Sequence, residues 1–204
     1  MPIDSQAFKP TEHGRIWRCG NCGFSFIAPR PSPAQTEEFY KIDEYYTHGK
    51  THYADGTTLS SQGRLRAHLA WRVDRGEQDL ARIARKALGP GKARICDLGC
   101  GEGTGVKLLM SAGFEVIGVE RDPLAASFKD ESLRVLAGSV EQIPTEIERG
   151  SCDGLLMDHV LEHIVDPVAT MTEAGKLLRS GGIMLIVVPN NACLAAQRAG
   201  LAWT

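Results

Sequence analysis

Ile95-Cys96-Asp97-Leu98-Gly99-Cys100-Gly101-Glu102-Gly103-Thr104-Gly105 joins an acidic residue at the end of an apolar run to glycine at every second position. Val106, Leu108, Leu109 and Met110 then open a helical pattern. A strand, a glycine loop and a helix in that order make a ligand cradle. Glycine lets the backbone turn sharply and approach a ligand, and the helix N-terminus aims unsatisfied N–H groups into the loop. Such loops commonly hold phosphate, but this one is ill suited to it. Counted from Gly101, Val106-Lys107-Leu108 stand where Gly-Lys-Ser/Thr would close a P-loop. The dinucleotide pattern Gly-x-Gly-x-x-Gly/Ala fails at Thr104 or Val106. Glu102 inside the loop would repel a pyrophosphate.

Three other groups could do chemistry. Glu120 ends the apolar run Val116, Ile117, Val119 about 20 residues beyond the loop, where a carboxylate can accept both hydroxyls of a ribose; Asp122 is the weaker candidate. Asp158-His159-Val160-Leu161-Glu162-His163 follows a further apolar run. Its His-x-x-Glu-His spacing matches a zinc signature, although no third ligand is evident. Cys19 and Cys22 make half of a zinc ribbon. Tetrahedral zinc needs four ligands, and no second Cys-x-x-Cys occurs before residue 96, leaving His13, His48 and His52 as candidates. The pair reads as a zinc site or as a free-thiol hairpin. No βαβ pattern surrounds it, which disfavours a redox role.

The elements that must position these residues follow from periodicity and punctuation. Residues 1–14 read as polar and irregular. Arg15–Arg18 and Phe24–Ile27 alternate as short strands around the Cys-x-x-Cys turn. Pro29, Pro31 and Pro33 stiffen a linker. Ser60–Leu88 has helical spacing, stopped at Gly89-Pro90-Gly91. Strands are then predicted at Ala93–Asp97, Phe114–Glu120, Leu133–Leu136, Cys152–Met157 and Ile183–Val188. Helices are predicted at Val106–Ala112, Pro123–Lys129 and Val168–Leu178, the last stopped at Ser180-Gly181-Gly182. Apolar strands alternating with helices mean a parallel sheet covered on both faces, with ligands beyond the carboxyl ends of its strands.

Asp97-x-Gly99-x-Gly101-x-Gly103 on such a turn resembles motif I of the class I S-adenosylmethionine (SAM)-dependent methyltransferases. The Leu161-Glu162-His163 core followed by Asp166-Pro167 resembles their segment after strand four. The likeness spans residues 93 to 190 and, more loosely, 19 to 56. There Pro29-Arg30-Pro31-Ser32-Pro33 matches the linker of a group with a cysteine knuckle and a Tyr-rich segment, although that group's other cysteine pair is lacking. The resemblance implies an α/β, Rossmann-like, doubly wound, mostly parallel sheet with helices on both faces and a small N-terminal appendage. It divides the chain into a knuckle-like and Tyr-rich lid segment (1–56), a helical connector (57–91) and a SAM-binding core (92–204). It implies SAM as cofactor, held by Asp97, Gly99, Cys100, Gly101, Gly103, Glu120, Arg121, Ser139, Val140 and Asp158. Ser139 stands where the family often carries an acidic partner for the adenine amino group, and Val140 could offer its backbone N–H to the ring. His159 and His163 are the candidate bases. Zinc at Cys19 and Cys22 belongs to the group's pattern. The family usually has seven strands, yet about 15 residues follow Pro189, too few for the last two at ordinary lengths. The sheet is therefore expected to lack them, as a shortened fold or a truncated chain.

The expected reaction is in-line transfer of a methyl group to a small-molecule acceptor. The alternative is a non-catalytic SAM- or partner-binding module on the same sheet. A nicotinamide oxidoreductase is disfavoured by the missing third glycine. The 204 residues carry a formal net charge of −2 with no long run of one sign, so no nucleic-acid footprint is expected. No apolar run reaches the ~18 residues of a membrane span, and the N-terminus lacks a secretory h-region. Six cysteines, only two of them closely spaced, suit a reduced, cytoplasmic protein. Oligomeric state is not legible.

Overall fold

The computed structural model describes residues 5–11, 14–30, 32, 76–122 and 125–190. It divides into two compact units, Met1–Asp43 with Pro189–Thr204, and Glu44–Val188.

The first unit carries an antiparallel sheet in the order β1 (Ser5–Thr11), β2 (Gly14–Cys19), β3 (Ser25–Ala28). The alternating segments around the Cys-x-x-Cys turn form the expected hairpin. The turn is closed by Cys19 N–H to Phe24 O (2.8 Å) and Gly23 N–H to Cys19 O (2.9 Å). The irregular reading of residues 1–14 is corrected, because β1 pairs with β2 from Ser5↔Cys19 to Thr11↔Gly14. An edge strand needs little apolar content and tolerates Pro10, so its composition hid it. A bulge between Ala7 and Lys9 shifts the register.

The second unit is a five-stranded sheet in the order β6-β5-β4-β7-β8, every pair parallel. Its strands are β4 (Arg94–Leu98), β5 (Glu115–Glu120), β6 (Val135–Ala137), β7 (Cys152–Asp158) and β8 (Leu178–Val187). Helix α1 (Gly76–Leu88) precedes β4, α2 (Thr104–Ser111) joins β4 to β5, and α3 (Pro167–Gly175) joins β7 to β8. Residues 60–75 of the predicted helix lie outside the described residues. The short helix expected after β5 is a 3₁₀ turn, Ala126–Lys129.

Two apolar clusters line the sheet. Leu80 and Ala84 of α1 and Val106 and Leu109 of α2 pack with Ile95, Val116 and Leu156. Ala174 of α3 packs with Cys96, Leu98, Ile117, Val119, Leu155 and Met157. Successive strand residues thus serve opposite faces, which is why these strands read as unbroken apolar runs.

The predicted end of the last helix is also corrected. Asp166 caps α3 by accepting the Ala169 N–H (3.0 Å), and the helix ends at Gly175. The glycine pair then lies inside β8. Cys152 faces Leu178 and Gly154 faces Ile183, so Arg179–Gly182 bulge opposite the single residue Asp153. Gly181 permits this with φ +75°. Asp153 fixes the bulge from below, accepting from Arg179 Nε and, at 2.7 Å, from the Arg94 backbone N–H.

Candidate functional site

The side-chain parity of three neighbouring strands builds the site. Ile95, Val116 and Leu156 point toward α1 and α2. Counting on by twos, Asp97, Glu120 and Asp158 fall on the same face. Asp97 is level with Gly118 and Leu156, so Glu120 and Asp158 stand one layer further toward the carboxyl ends. Three carboxylates from β5, β4 and β7 therefore converge beside the start of α2.

The glycine loop runs over them. Gly99, Gly101 and Gly103 take φ values of 83°, 50° and 82°, which L side chains rarely adopt. Close packing adds to this constraint. A methyl group at Gly99 would stand 2.6 Å from Val160 Cγ2, one at Gly103 2.6 Å from Leu133 Cδ1, and one at Gly105 2.9 Å from Asp97 Oδ2. Glu120, buried, holds the loop down: its Oε2 accepts the Gly101 N–H at 2.8 Å, and its Oε1 accepts the N–H groups of Arg121 and Asp122, each at 2.9 Å. Cys100 lies beneath, its Sγ 4.0 Å from Ser127 Oγ. Burial pushes its thiol up to about 12, so it stays protonated.

Asp97 is 3% exposed. Burial, with the charges of Asp158 and Glu120 added, pushes its carboxyl up to about 7. Glu102 Oε1 is buried without a hydrogen-bond partner. The rim of the loop thus holds a spare acceptor above a buried carboxyl, and an unfilled acceptor calls for a ligand that brings N–H or O–H donors.

The segment after β7 turns at once. His159 has φ +54°, the one non-glycine in the left-handed region among the described residues. Its N–H donates to Val187 O (3.0 Å). Val160 presses on Gly99, and Leu161–His163 make a 3₁₀ turn. That turn brings Glu162 Oε1 to 3.3 Å from His159 Nδ1 and 4.0 Å from His163 Nε2. Burial holds His163 below its ordinary value.

The remaining candidates are placed as follows. Gly138 N–H donates to Glu120 O (3.0 Å), tying the loop after β6 to the end of β5. In that loop Ser139 Oγ accepts the N–H of Gln142 (3.0 Å) and of Glu141 (3.3 Å), so its hydroxyl closes a turn. The Val140 side chain is buried in the α3-side core. Cys19 and Cys22 are free thiols. Among the described residues no group of three or more His, Cys, Asp or Glu could hold a metal ion. The zinc expectation at Cys19 and Cys22 thus finds two ligands among the described residues where four are needed, and His159-x-x-Glu162-His163 does not form a metal centre either. His13, His48, His52 and the Tyr-rich segment lie outside the described residues. Sequence reading missed the contact of Val160 with Gly99, the orphaned oxygen of Glu102 and the approach of Glu162 to His159. Only the i, i+3 spacing of the last pair hinted at it.

A family model described as a methyltransferase domain matches residues 68–204. A protein of Mycolicibacterium smegmatis named as a probable S-adenosylmethionine-dependent methyltransferase is 26% identical over 107 residues, 51% of this chain and 41% of its own length. A tRNA 5-carboxymethoxyuridine methyltransferase of Escherichia coli is 28% identical over 144 residues, 66% of this chain and 51% of its own. The chain spans about half or less of the length of these relatives. Among solved structures, a geranyl diphosphate methyltransferase in complex with GPP and sinefungin superposes with a TM-score of 0.48 at 23% identity, over 65% of this chain and 53% of the other. No helix among the described residues is long and apolar enough to cross a membrane.

Proposed function

Since the chain belongs to the methyltransferase-domain family, we propose that it carries the SAM-binding core of a class I methyltransferase acting on a small-molecule acceptor. The observation that carries this reading is the acidic cradle: Asp97, Glu120 and Asp158 converge beside a loop whose glycines take positive φ, with Asp97 buried and one oxygen of Glu102 lacking a partner. A diphosphate would meet like charge there. A zwitterionic aminoacyl nucleoside with a cationic sulfur brings donors and positive charge, so the residues fit it.

When bound, SAM supplies a methyl group already activated on a sulfonium. The chain's own residues then have three tasks. Glu120 receives the ribose hydroxyls, since Oε2 accepts only one protein N–H. Asp97 and Asp158 favour the cationic end through their charge. Ser139 and Val140 border the base. The loop and Val160 exclude water and fix the donor, so that an acceptor can be aligned at near-attack distance, the main source of acceleration in such a displacement. A base chosen from His159 and His163 takes a proton where the acceptor has one to lose.

Calorimetry tests the first half: SAM should bind and NAD should not. Transfer of a labelled methyl group from SAM to a metabolite panel tests the second, and SAM binding without transfer would favour the non-catalytic module. A nucleic-acid acceptor is a second reading, suggested by the tRNA methyltransferase relative, which matches over 66% of this chain. Label found in added tRNA and not in the metabolites would favour it. The formal net charge of −2 weighs toward the small molecule.

A further inference from the structure

We infer that Glu162 positions His159 as the base of this site, and that the acceptor is a hydroxyl or amine that must lose a proton, not a carboxylate. This rests on the methyltransferase reading above.

The geometry has four parts. His159 follows β7 directly, at the carboxyl edge where the glycine loop lies, and the next residue, Val160, touches Gly99. Its backbone is locked in the left-handed region at φ +54° and tied to Val187 O. A non-glycine residue persists in such a conformation only where its surroundings over-determine it, and such residues cluster at functional sites. Glu162 Oε1 lies 3.3 Å from Nδ1, a distance that tightens readily when a complex forms. The His159 side chain is 60% exposed, and its Nε2 makes no hydrogen bond among the described residues, the nearest carboxylate oxygen being Asp158 Oδ1 at 4.0 Å. A carboxylate facing Nδ1 favours the tautomer protonated there, which leaves the Nε2 lone pair to accept a proton. His163 turns its Nε2 toward the same Glu162, at 4.0 Å.

The step balances without a further reagent. The acceptor's lone pair forms the new bond to the methyl carbon as the carbon–sulfur bond breaks, and that electron pair stays on sulfur, leaving a neutral thioether. The acceptor's proton passes to His159 Nε2. The ring lies beside the Glu162 and Asp158 carboxylates, and its exposed face returns the proton to water. A carboxylate acceptor carries no proton at neutral pH and would leave this pair without a task.

Nitrogen-15 NMR of histidine-labelled protein tests the pair directly. In the wild type His159 should carry its neutral-state proton on Nδ1, and Glu162→Ala should abolish that preference. A proton on Nε2, or a tautomer indifferent to Glu162→Ala, would overturn the assignment. Labelled-methyl transfer to phenols, alcohols, amines and carboxylic acids tests the acceptor class. Turnover should be confined to the first three. His159→Asn, which keeps a residue tolerant of the left-handed backbone, should lower kcat about 100-fold or more. Glu162→Ala should lower it about 10-fold, with the KM for SAM unchanged. Normal SAM binding with carboxylic acids methylated as well as phenols sinks this inference and leaves the methyltransferase reading standing. Absence of SAM binding to wild type sinks both.

Discussion

Asp97 shows how a buried carboxyl makes folding depend on pH. Its carboxyl is raised to about 7 by burial and by the charges of Asp158 and Glu120. A folded state that binds a proton more tightly than the unfolded chain is favoured at low pH. The contribution of Asp97 is thus fully present below about pH 4 and is lost as pH rises to about 7. The loss is on the order of 4 kcal/mol, at about 1.4 kcal/mol per pKa unit. Asp97→Asn should remove that slope. Its stability relative to wild type, followed by urea denaturation from pH 4 to 8, should rise with pH, and a flat difference would show the carboxyl to be solvated. If Asp97 also meets the positive end of SAM, the same variant should bind SAM more weakly, a familiar exchange of stability for function. For Glu120→Ala, SAM affinity measured by calorimetry should fall by about 1–3 kcal/mol, the scale of a lost charged hydrogen bond. Unchanged affinity would remove Glu120 from the ribose role.

Among the elements, the loop between β4 and α2 is specified from afar. Gly99 has a positive φ, and Val160, far along the chain, fills the space that a side chain there would need. Gly99→Ala should therefore cost about 1–2 kcal/mol for the left-handed backbone and about 1–3 kcal/mol for overpacking. Adding Val160→Ala should relieve only the second part. Denaturation of the single and double variants separates the two, and full rescue would show that the backbone conformation is cheap. This division marks what the sequence could tell. Apolar runs fixed the order of strands and helices, because both faces of a parallel sheet are buried. The acidic ends of three of those runs were equally plain, and alternation brings Asp97, Glu120 and Asp158 to one face. Val160 against Gly99 and Glu162 against His159 depend on how a turn folds after the strand has ended, which no periodicity encodes. β1 was missed because backbone pairing holds an edge strand whose composition is polar. The start of β8 was missed because Gly181 and Gly182 read as a helix stop, whereas the Asp153 carboxylate turns them into a bulge.

For the whole molecule, the cysteines report on the two units separately. Cys19 and Cys22 sit in an open turn, and hydrogen bonds from the backbone N–H groups of Cys22 and Asn21 lower the Cys19 thiol. Cys96, Cys100 and Cys152 are buried in the parallel sheet, with thiols raised by burial. Alkylation of native protein at pH 8, read by peptide mass spectrometry, should label Cys19 and Cys22 within minutes and Cys96, Cys100 and Cys152 only on unfolding. Early labelling of Cys96 would mean that the central strand opens without global unfolding.

The bonds from Gly101, Arg121 and Asp122 to one carboxylate mean that position 120 holds the loop whether or not it also meets a ribose. A swap to the isosteric amide must point its NH₂ at either the Gly101 N–H or the pair from Arg121 and Asp122, so the turn would lose part of its mooring before any nucleoside arrived. Trimming the visitor instead, with a 2′,3′-dideoxy analogue, leaves the mooring whole. The gap between those two penalties measures how much of the pocket's shape is prepaid by the apoprotein.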